Sequence, residues 1–127
     1  MTSKLTKLIL IDYQNVQNMA GLRQLGKSVA CEVFIGPNQK ISGEQLQEFE
    51  FATTGWNVVS QSGKNAADML IAFKLGQMID KFNEFYVLSK DTDFDSIIAF
   101  VLAKPGKRIK RIENLSQSNF QTVRVSK

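Results

Sequence analysis

The residues Leu8–Asp12 read LILID, four apolar side chains followed at once by a carboxylate. A short run without a polar residue is typical of a strand that is buried on both faces of a parallel sheet. Asp12 therefore marks the carboxyl end of a buried strand. Burying a charge costs free energy unless the charge is paired or bound to a metal. This aspartate is consequently the first candidate functional residue.

Strands and helices are predicted to alternate along the rest of the chain. The predicted strands are Leu8–Ile11, Val29–Ile35, Trp56–Ser60, Glu84–Ser89 and Arg108–Glu113, and the predicted helices are Ser42–Thr54, Ala66–Phe82 and Phe94–Ala103. Ser42 is expected to cap the first helix with Gln45 as its capping-box partner, and Gly55 to end it. Alternation of this kind indicates an α/β fold, a three-layer α/β/α sandwich with a central, mainly parallel sheet of about five strands.

The length and composition predict one domain over residues 1–127. Residues 114–127 are either a last strand, at Thr122–Val125, or a linker toward a further region. No apolar run approaches the roughly 20 residues that span a bilayer, and the amino terminus does not resemble a signal peptide. A lone Cys31 indicates a reducing cytoplasm. It is interpreted as a buried hydrophobe rather than a thiol nucleophile, because the chain has no histidine to activate it.

The absence of histidine also limits the chemistry. It excludes Ser-His-Asp and Cys-His catalysis, together with zinc sites built on imidazole. Any bound metal is then a hard cation held by oxygen atoms, of which Mg²⁺ and Mn²⁺ are the natural candidates.

Five of the six aspartates fall at three places in the chain, which are Asp12, Asp68, and the group Asp91, Asp93 and Asp95. Asp12 follows the first predicted strand, Asp91 follows the fourth, and Asp68 lies in the first turn of the helix after the third. In an open α/β sheet, these positions all face the carboxyl ends of the strands, where ligands bind. Capping of the next helix by Asp93, with Asp95 in its first turn, would explain only one or two of these acids. The spacing therefore predicts a shared metal site.

Polar and basic residues beside these acids are candidate substrate contacts. Ser89 can orient a carboxylate or a water molecule, and Asn15 can bind a phosphate or a metal-bound water. Lys64 and Lys90 adjoin the acidic positions and can contact phosphate, although charge balance alone also accounts for them.

A basic segment follows the last predicted helix. From Lys104 to Lys127 there are seven basic residues against only Glu113, and the chain carries a net charge of +4. Such a segment attracts polyanions through phosphate contacts, or is simply a solvated surface. Within it, Lys107 and Arg108 are the residues expected to hold a nucleic-acid backbone, which gives affinity without reading the sequence.

The large aromatic side chains are interpreted as core residues rather than base-stacking ones. Phe94 is expected to anchor the last helix in the core. The others assigned to the core are Trp56, Phe73, Phe82, Phe85 and Phe100.

Two stretches resemble the PIN-like nucleases, especially their NYN branch. They are LILIDYQNV (Leu8–Val16) and KNAADMLIAFKLGQMIDKFNEFYVLSKDTDFDSII (Lys64–Ile98). The resemblance implies a metal-dependent ribonuclease that uses Mg²⁺ or Mn²⁺ and acts on RNA. A homodimer or a complex with a partner protein is compatible with the sequence, which does not determine the oligomeric state. The resemblance further implies that Asp12, Asp68, Asp91 and Asp95 are catalytic, with Asp93 as a further metal ligand. The family often supplies one more acid from a middle helix, and Glu44, Glu48 and Glu50 stand in no recognisable motif here.

Other assignments remain possible from the sequence. A Toprim-like domain fits the pair Asp91 and Asp93, but its first acid is normally a glutamate in a turn that contains glycine. A response-regulator receiver needs an aspartate after the third strand, and a haloacid dehalogenase-like phosphatase needs an acid where Gln14 stands. A degenerate nuclease fold that serves as an RNA-binding or protein-assembly module is the non-catalytic alternative.

Overall fold

The computed structural model describes residues 7–25, 29–60 and 66–120. Its strands are β1 Lys7–Asp12, β2 Val29–Ile35, β3 Thr53–Val58, β4 Glu84–Leu88 and β5 Arg108–Ile112, and its α-helices are α1 Gly43–Phe49, α2 Ala66–Met78 and α3 Asp95–Leu102. Short 3-10 turns lie at Leu22–Leu25, Thr92–Phe94 and Gln117–Phe120. The predicted α/β class and the alternation of elements are confirmed.

The five strands form one parallel sheet in the order β3-β2-β1-β4-β5. From the central β1, the chain moves outward to β2 and β3, and then returns to β4 on the other side of β1. In open α/β sheets, ligands bind at such a reversal of strand order, beyond the carboxyl ends of the strands. Asp12 ends β1 and Ser89 directly follows β4, so both lie at this point.

Two apolar clusters cover the two faces of the sheet. In β1, Ile9 and Ile11 belong to one cluster and Leu8 and Leu10 to the other, as the alternation of a strand requires. Helices α2 and α3 pack on the Leu8 side through Ile71, Leu75 and Val101. Helix α1 and the two outer 3-10 turns pack on the Ile9 side through Phe49, Leu22 and Phe120. This arrangement is the expected three-layer sandwich.

The helix predicted over Ser42–Thr54 is shorter in the structure. Ser42 does cap α1, since its hydroxyl accepts a hydrogen bond from the Gln45 backbone amide at 3.3 Å. The capping box is not completed, because the Gln45 side chain accepts instead from the Met19 amide at 2.9 Å. Helix α1 ends at Phe49. Through the Gln45 side chain, it is also hydrogen-bonded to the loop after β1.

Gly55 does not end that helix but lies inside β3, opposite Glu32 of β2. A Cβ atom at residue 55 would lie 2.5 Å from Glu32 Oε2. The Glu32 carboxylate is itself held by the Asn57 side-chain amide at 2.9 Å and by Lys74 at 3.8 Å. Glycine at this position therefore leaves room for a side chain of the neighbouring strand and does not mark a helix terminus.

The second predicted helix also ends earlier than expected. Helix α2 stops at Met78 rather than Phe82, and Phe82 packs in the core with its ring 6.2 Å from that of Phe85. The aromatic prediction is confirmed for Phe82, Phe85 and Phe94, which are buried.

The assignment of three other aromatic residues to the core is wrong. Trp56, Phe73 and Phe100 are 44%, 65% and 68% exposed, respectively. The possible strand at Thr122–Val125 lies outside the described residues. Within residues 7–25, 29–60 and 66–120, no helix is long and apolar enough to cross a membrane.

Candidate metal centre

Asp12 is a buried carboxylate at the carboxyl end of the central strand. Only 5% of the residue is exposed. The Ser89 hydroxyl donates a hydrogen bond to Asp12 Oδ2 at 3.0 Å. Burial raises the pKa of Asp12 most, and the negative charge of Asp91 raises it further, whereas the hydrogen bonds from Ser89 and from the Asn15 backbone lower it. The carboxylate is thus held in place with a second acid nearby.

The loop after β4 is fastened to the sheet by Ser89 and Asn15. The Ser89 hydroxyl accepts from the Asp91 amide at 3.1 Å while it donates to Asp12. Asn15 Oδ1 accepts from the Lys90 amide at 2.6 Å. These contacts join the residues after β4 to Asp12 and Asn15 after β1. They therefore fix the position of the Asp91 backbone relative to Asp12.

Asp91, Asp93 and Asp68 bring their carboxylates together above this edge. One carboxylate oxygen from each lies within 4.8 Å of the other two. Asp91 caps the 3-10 turn, because its Oδ1 accepts from the Asp93 amide at 2.9 Å. The alternative explanation, in which Asp93 caps the next helix, does not hold, because the N-cap of α3 is Phe94 and no side chain caps it.

Asp68 reaches the same place from the first turn of α2. Its pKa is raised from 3.8 to about 6. Burial is the largest cause, and the negative charges of Asp91, Asp12 and Asp93 raise the pKa further. Asp12 is not one of the three mutually close carboxylates, but it ends β1 at the same end of the sheet, and the Asp91 that follows β4 is tied to it through Ser89. Asp12, Asp68, Asp91 and Asp93 are called the acidic cluster below.

The donor chemistry of the acidic cluster fits a hard divalent cation. Two carboxylates about 4 Å apart repel each other by roughly 4 kcal/mol at an effective dielectric constant of about 20. No ion pair among the described residues neutralises a member of the cluster. All available ligands are oxygen atoms, which Mg²⁺ and Mn²⁺ prefer. A cation of this kind would relieve the repulsion.

Asp95 is not brought into the acidic cluster. It is exposed at the start of α3, where its Oδ1 accepts from Arg111 Nε at 3.2 Å. Arg111 also donates to the Ser89 carbonyl at 3.1 Å and to Glu113 at 3.0 Å. The structure places Asp95 in a surface ion-pair network beside the loop that carries Asp91.

Lys107 and Arg108 lie at the amino-terminal end of the strands, whereas the acidic cluster lies at their carboxyl end. Arg108 begins β5, and Lys107 Nζ donates to the Phe82 carbonyl at 2.9 Å just before β4. At about 3.3 Å per residue, the five residues of β5 separate this edge from the carboxyl edge by roughly 13 Å. The prediction that Lys107 and Arg108 belong to the same site as the acidic cluster is therefore wrong.

The remaining predicted contacts differ in position. Lys90 is exposed and adjoins Asp91, whereas Lys64 lies outside the described residues. Arg111 was not singled out by the sequence, yet it is the cation that binds the loop at Ser89. Its position near the carboxyl end of a predicted strand was the signal that could have identified it.

No acid from the middle helix joins the cluster among the described residues. Glu48 of α1 pairs with Arg23 at 3.1 Å, and Glu44 and Glu50 are exposed. The group of three mutually close carboxylates contains none of them.

Comparisons with known proteins agree with the fold. A family model described as PIN domain matches residues 6–112. The fold is similar to the crystal structure of a protein of unknown function from Vibrio parahaemolyticus RIMD 2210633, with a TM-score of 0.60 and 16% sequence identity. That likeness covers 87% of this chain and 83% of the other, and at this identity it concerns the fold alone. No curated protein matches the sequence.

Proposed function

Because this chain belongs to the PIN domain family, we propose that it is a metal-dependent endoribonuclease. It hydrolyses RNA phosphodiester bonds with Mg²⁺ or Mn²⁺ held by the acidic cluster. The observation that carries this proposal is the convergence of Asp68, Asp91 and Asp93 within 4.8 Å, beside the buried Asp12. PIN domains are generally nucleases, which makes this the reaction that best suits the site.

The residues of the cluster have distinct roles in the proposed reaction. Asp68, Asp91 and Asp93 would hold the ion, and Asp12 would hold it or a water bound to it. Such an ion activates water and stabilises negative charge on the attacked phosphate. No side-chain nucleophile is needed, which is compatible with a chain that lacks histidine.

Ser89 and Asn15 act as positioning residues in this proposal. Ser89 keeps the Asp12 carboxylate oriented, and its hydroxyl accepts from the backbone amide of Asp91. Asn15 accepts a hydrogen bond from the Lys90 backbone amide, and the exposed Lys90, which precedes Asp91 in the chain, would contact a phosphate of the substrate. We further propose a cytoplasmic location, which the lone, buried Cys31 supports.

The proposal is tested by cleavage of labelled RNA, single-stranded and structured, in manganese or in chelator. We expect cleavage in manganese only. Asp91→Asn keeps an oxygen that can cap the Asp93 amide but loses the charge. It should reduce the rate by about 100-fold or more, because even the outer partners of metal ligands are each worth about 10- to 100-fold.

Asp80→Asn is the matched control for this experiment. Asp80 is the only aspartate outside the three acidic positions, and it is exposed in the turn after α2. Its substitution should leave cleavage unchanged. Full manganese-dependent cleavage by Asp91→Asn or Asp12→Asn would reject the proposed site.

The absence of a middle-helix acid from the cluster favours a second candidate, a degenerate PIN domain that binds RNA or assembles with protein without cleaving. The same assay separates the two functions. A binding module retains labelled RNA in chelator and shows no manganese-dependent turnover.

A further inference from the structure

The segment between β4 and α3 carries two of the three carboxylates that converge in the acidic cluster. Asp91 and Asp93 both lie in this segment, which runs from Ser89 to Phe94. Its regular structure is a 3-10 turn of three residues. So short a turn supplies few hydrogen bonds of its own. The position of the two carboxylates therefore depends on the contacts that the segment makes with the elements on either side.

On one side, the segment is held by residues at the end of β1 and after it. The Ser89 hydroxyl donates to Asp12, and Asn15 accepts from the Lys90 amide. Both contacts fix the beginning of the segment. Asp93 and the start of α3 lie further along the chain, beyond these two contacts.

On the other side, the segment is held by Arg111 of the neighbouring strand β5. Its Nη1 donates to the Ser89 carbonyl at 3.1 Å, directly after β4. Its Nε donates to Asp95 Oδ1 at 3.2 Å, at the first residue of α3. One guanidinium group thus binds both ends of the segment, and Asp91 and Asp93 lie between the two points of attachment.

The charges around Arg111 are compatible with a metal ion nearby. Glu113 also accepts from Nη1, at 3.0 Å, so the guanidinium is paired with two carboxylates. Their two negative charges exceed its single positive charge. The side chains of Asp95 and Glu113 are 60% and 54% exposed, and exposed ion pairs contribute little to folding. The network is therefore expected to affect the position of the segment more than the stability of the protein.

We propose that Arg111 is a positioning residue for the metal centre, because it holds both ends of the segment that presents Asp91 and Asp93 to Asp68. This inference rests on the metal-dependent function proposed above, and it assigns to that function a residue that does not touch the ion. It also gives Asp95 a role. This carboxylate anchors the guanidinium on the α3 side instead of binding the metal.

The shape of the guanidinium group is what this role requires. Its Nε and Nη1 atoms donate in different and fixed directions, one toward α3 and the other toward the end of β4. A lysine keeps the charge, but its single ammonium group on a flexible stem cannot occupy both positions. Substitution of Arg111 by lysine consequently separates the effect of position from the effect of charge.

The test measures manganese binding to the metal-free protein by isothermal titration calorimetry, without RNA. Arg111→Lys and Arg111→Gln should each weaken manganese affinity by about 10-fold or more, the effect of removing an outer partner of a metal ligand. If only the charge of Arg111 mattered, Arg111→Lys would bind like the wild type and Arg111→Gln would bind more tightly. That result would overturn the proposal.

Arg23→Lys is the matched control. Arg23 also pairs with a surface carboxylate, that of Glu48 at 3.1 Å, but it lies in the 3-10 turn that packs on the Ile9 side of the sheet. This variant should bind manganese with the affinity of the wild type. An equal loss of affinity in Arg23→Lys and Arg111→Lys would contradict the proposal, because it would reflect a general effect of losing a surface ion pair.

Hydrogen exchange in chelator detects the role of Arg111 without metal. The amides of Asp91, Asp93 and Phe94 are hydrogen-bonded within the segment, to Ser89 Oγ, Asp91 Oδ1 and the Asp91 carbonyl. In Arg111→Lys, these three amides should exchange faster than in the wild type, while those of β1 should not change. Equal exchange of the three amides in both proteins would show that Arg111 does not hold the segment.

Two substitutions of Asp95 test the α3 end of the segment, should the Arg111 variants fail to fold. Both remove the same charge, but Asp95→Asn retains an oxygen that accepts from Arg111 Nε, whereas Asp95→Ala does not. The Asp95 side chain is exposed, so neither change should prevent folding. Manganese affinity should be several-fold lower in Asp95→Ala than in Asp95→Asn. Equal affinities of these two variants would refute the proposed anchoring.

The result is distinguishable from a failure of the proposed nuclease activity. A wild type that binds manganese and cleaves RNA, together with an Arg111→Lys variant of the same manganese affinity, would overturn this inference alone. A wild type that binds no manganese would overturn both this inference and the proposed function.

Discussion

At the scale of single residues, Asp68 is the group whose protonation the fold changes most clearly within the acidic cluster. Burial and the charges of Asp91 and Asp12 raise its pKa from 3.8 to about 6. The folded protein therefore holds this proton more tightly than the unfolded chain does. Without metal, Asp68 favours folding most at a pH below about 4, and this contribution is lost as the pH rises to about 6.

The variant Asp68→Asn removes this dependence on pH. In chelator and above a pH of about 6, we expect the variant to unfold at a temperature a few degrees higher than the wild type does. A shift of this size corresponds to about 1 kcal/mol in a domain of this length. Below pH of about 4, this advantage should disappear. Thermal unfolding followed by circular dichroism across pH measures the difference.

Manganese should reverse the ranking at neutral pH, because an ion that binds only the folded state stabilises the chain that has its ligands. Asp80→Asn serves as the control, and it should follow the wild type under both conditions. A difference between wild type and Asp68→Asn that is independent of pH would show that the proton on Asp68 does not affect folding.

At the scale of elements, Gly55 illustrates how two neighbouring strands constrain each other. Its Cα faces the Glu32 carboxylate, which also binds the Asn57 side chain. An added methyl group forces that carboxylate to move and weakens its hydrogen bond. The loss of a hydrogen bond to a charged group, about 1.5–3 kcal/mol, exceeds the gain of about 0.4–1 kcal/mol from a less flexible unfolded chain.

We therefore expect Gly55→Ala to lower the free energy of unfolding by about 1 kcal/mol. The penalty should vanish when Glu32→Ala removes the obstacle, and a double-mutant cycle in urea measures that coupling. Gly43→Ala is the control, since a Cβ at residue 43 meets no atom within 4 Å. A Gly55→Ala protein as stable as Gly43→Ala would show that the carboxylate shifts freely.

The same element shows where sequence analysis failed. Gly55 has the pattern of a helix end, because glycine is common there. The close approach at this position comes from the side chain of Glu32, 23 positions earlier, which only the paired strands bring close. Strand β1 was predicted within one residue at each end, because an all-apolar run of that length has few other solutions.

The position of the acids was predictable for a similar reason. The rule that loops after parallel strands share one end of the sheet brings Asp68 and Asp91 together and places Asp12 at the same end. The same rule places the start of β5 at the amino-terminal end of the strands. Applied to Lys107 and Arg108, it would have excluded both residues from the predicted site. The direction of the Asp95 side chain depends on Arg111, and no local pattern reports that ion pair.

At the scale of the whole molecule, the exposed aromatic side chains reveal what a single sequence cannot determine. Phe73 and Phe100 have the apolar neighbours of core residues, and their segments are correctly predicted as helices. Hydrophobic pattern alone does not distinguish burial within one chain from burial against another.

The lone thiol of Cys31 provides a built-in reporter of how often this fold opens. It lies in β2 with 1% exposure, and burial together with the Glu32 charge raises its pKa to about 12. A maleimide should consequently modify native protein only as fast as the sheet transiently separates. Saturating manganese should slow this labelling in the wild type and leave it unchanged in Asp91→Asn, a comparison read by mass spectrometry. Rapid modification of the native protein would instead mean that β2 is accessible without any such opening.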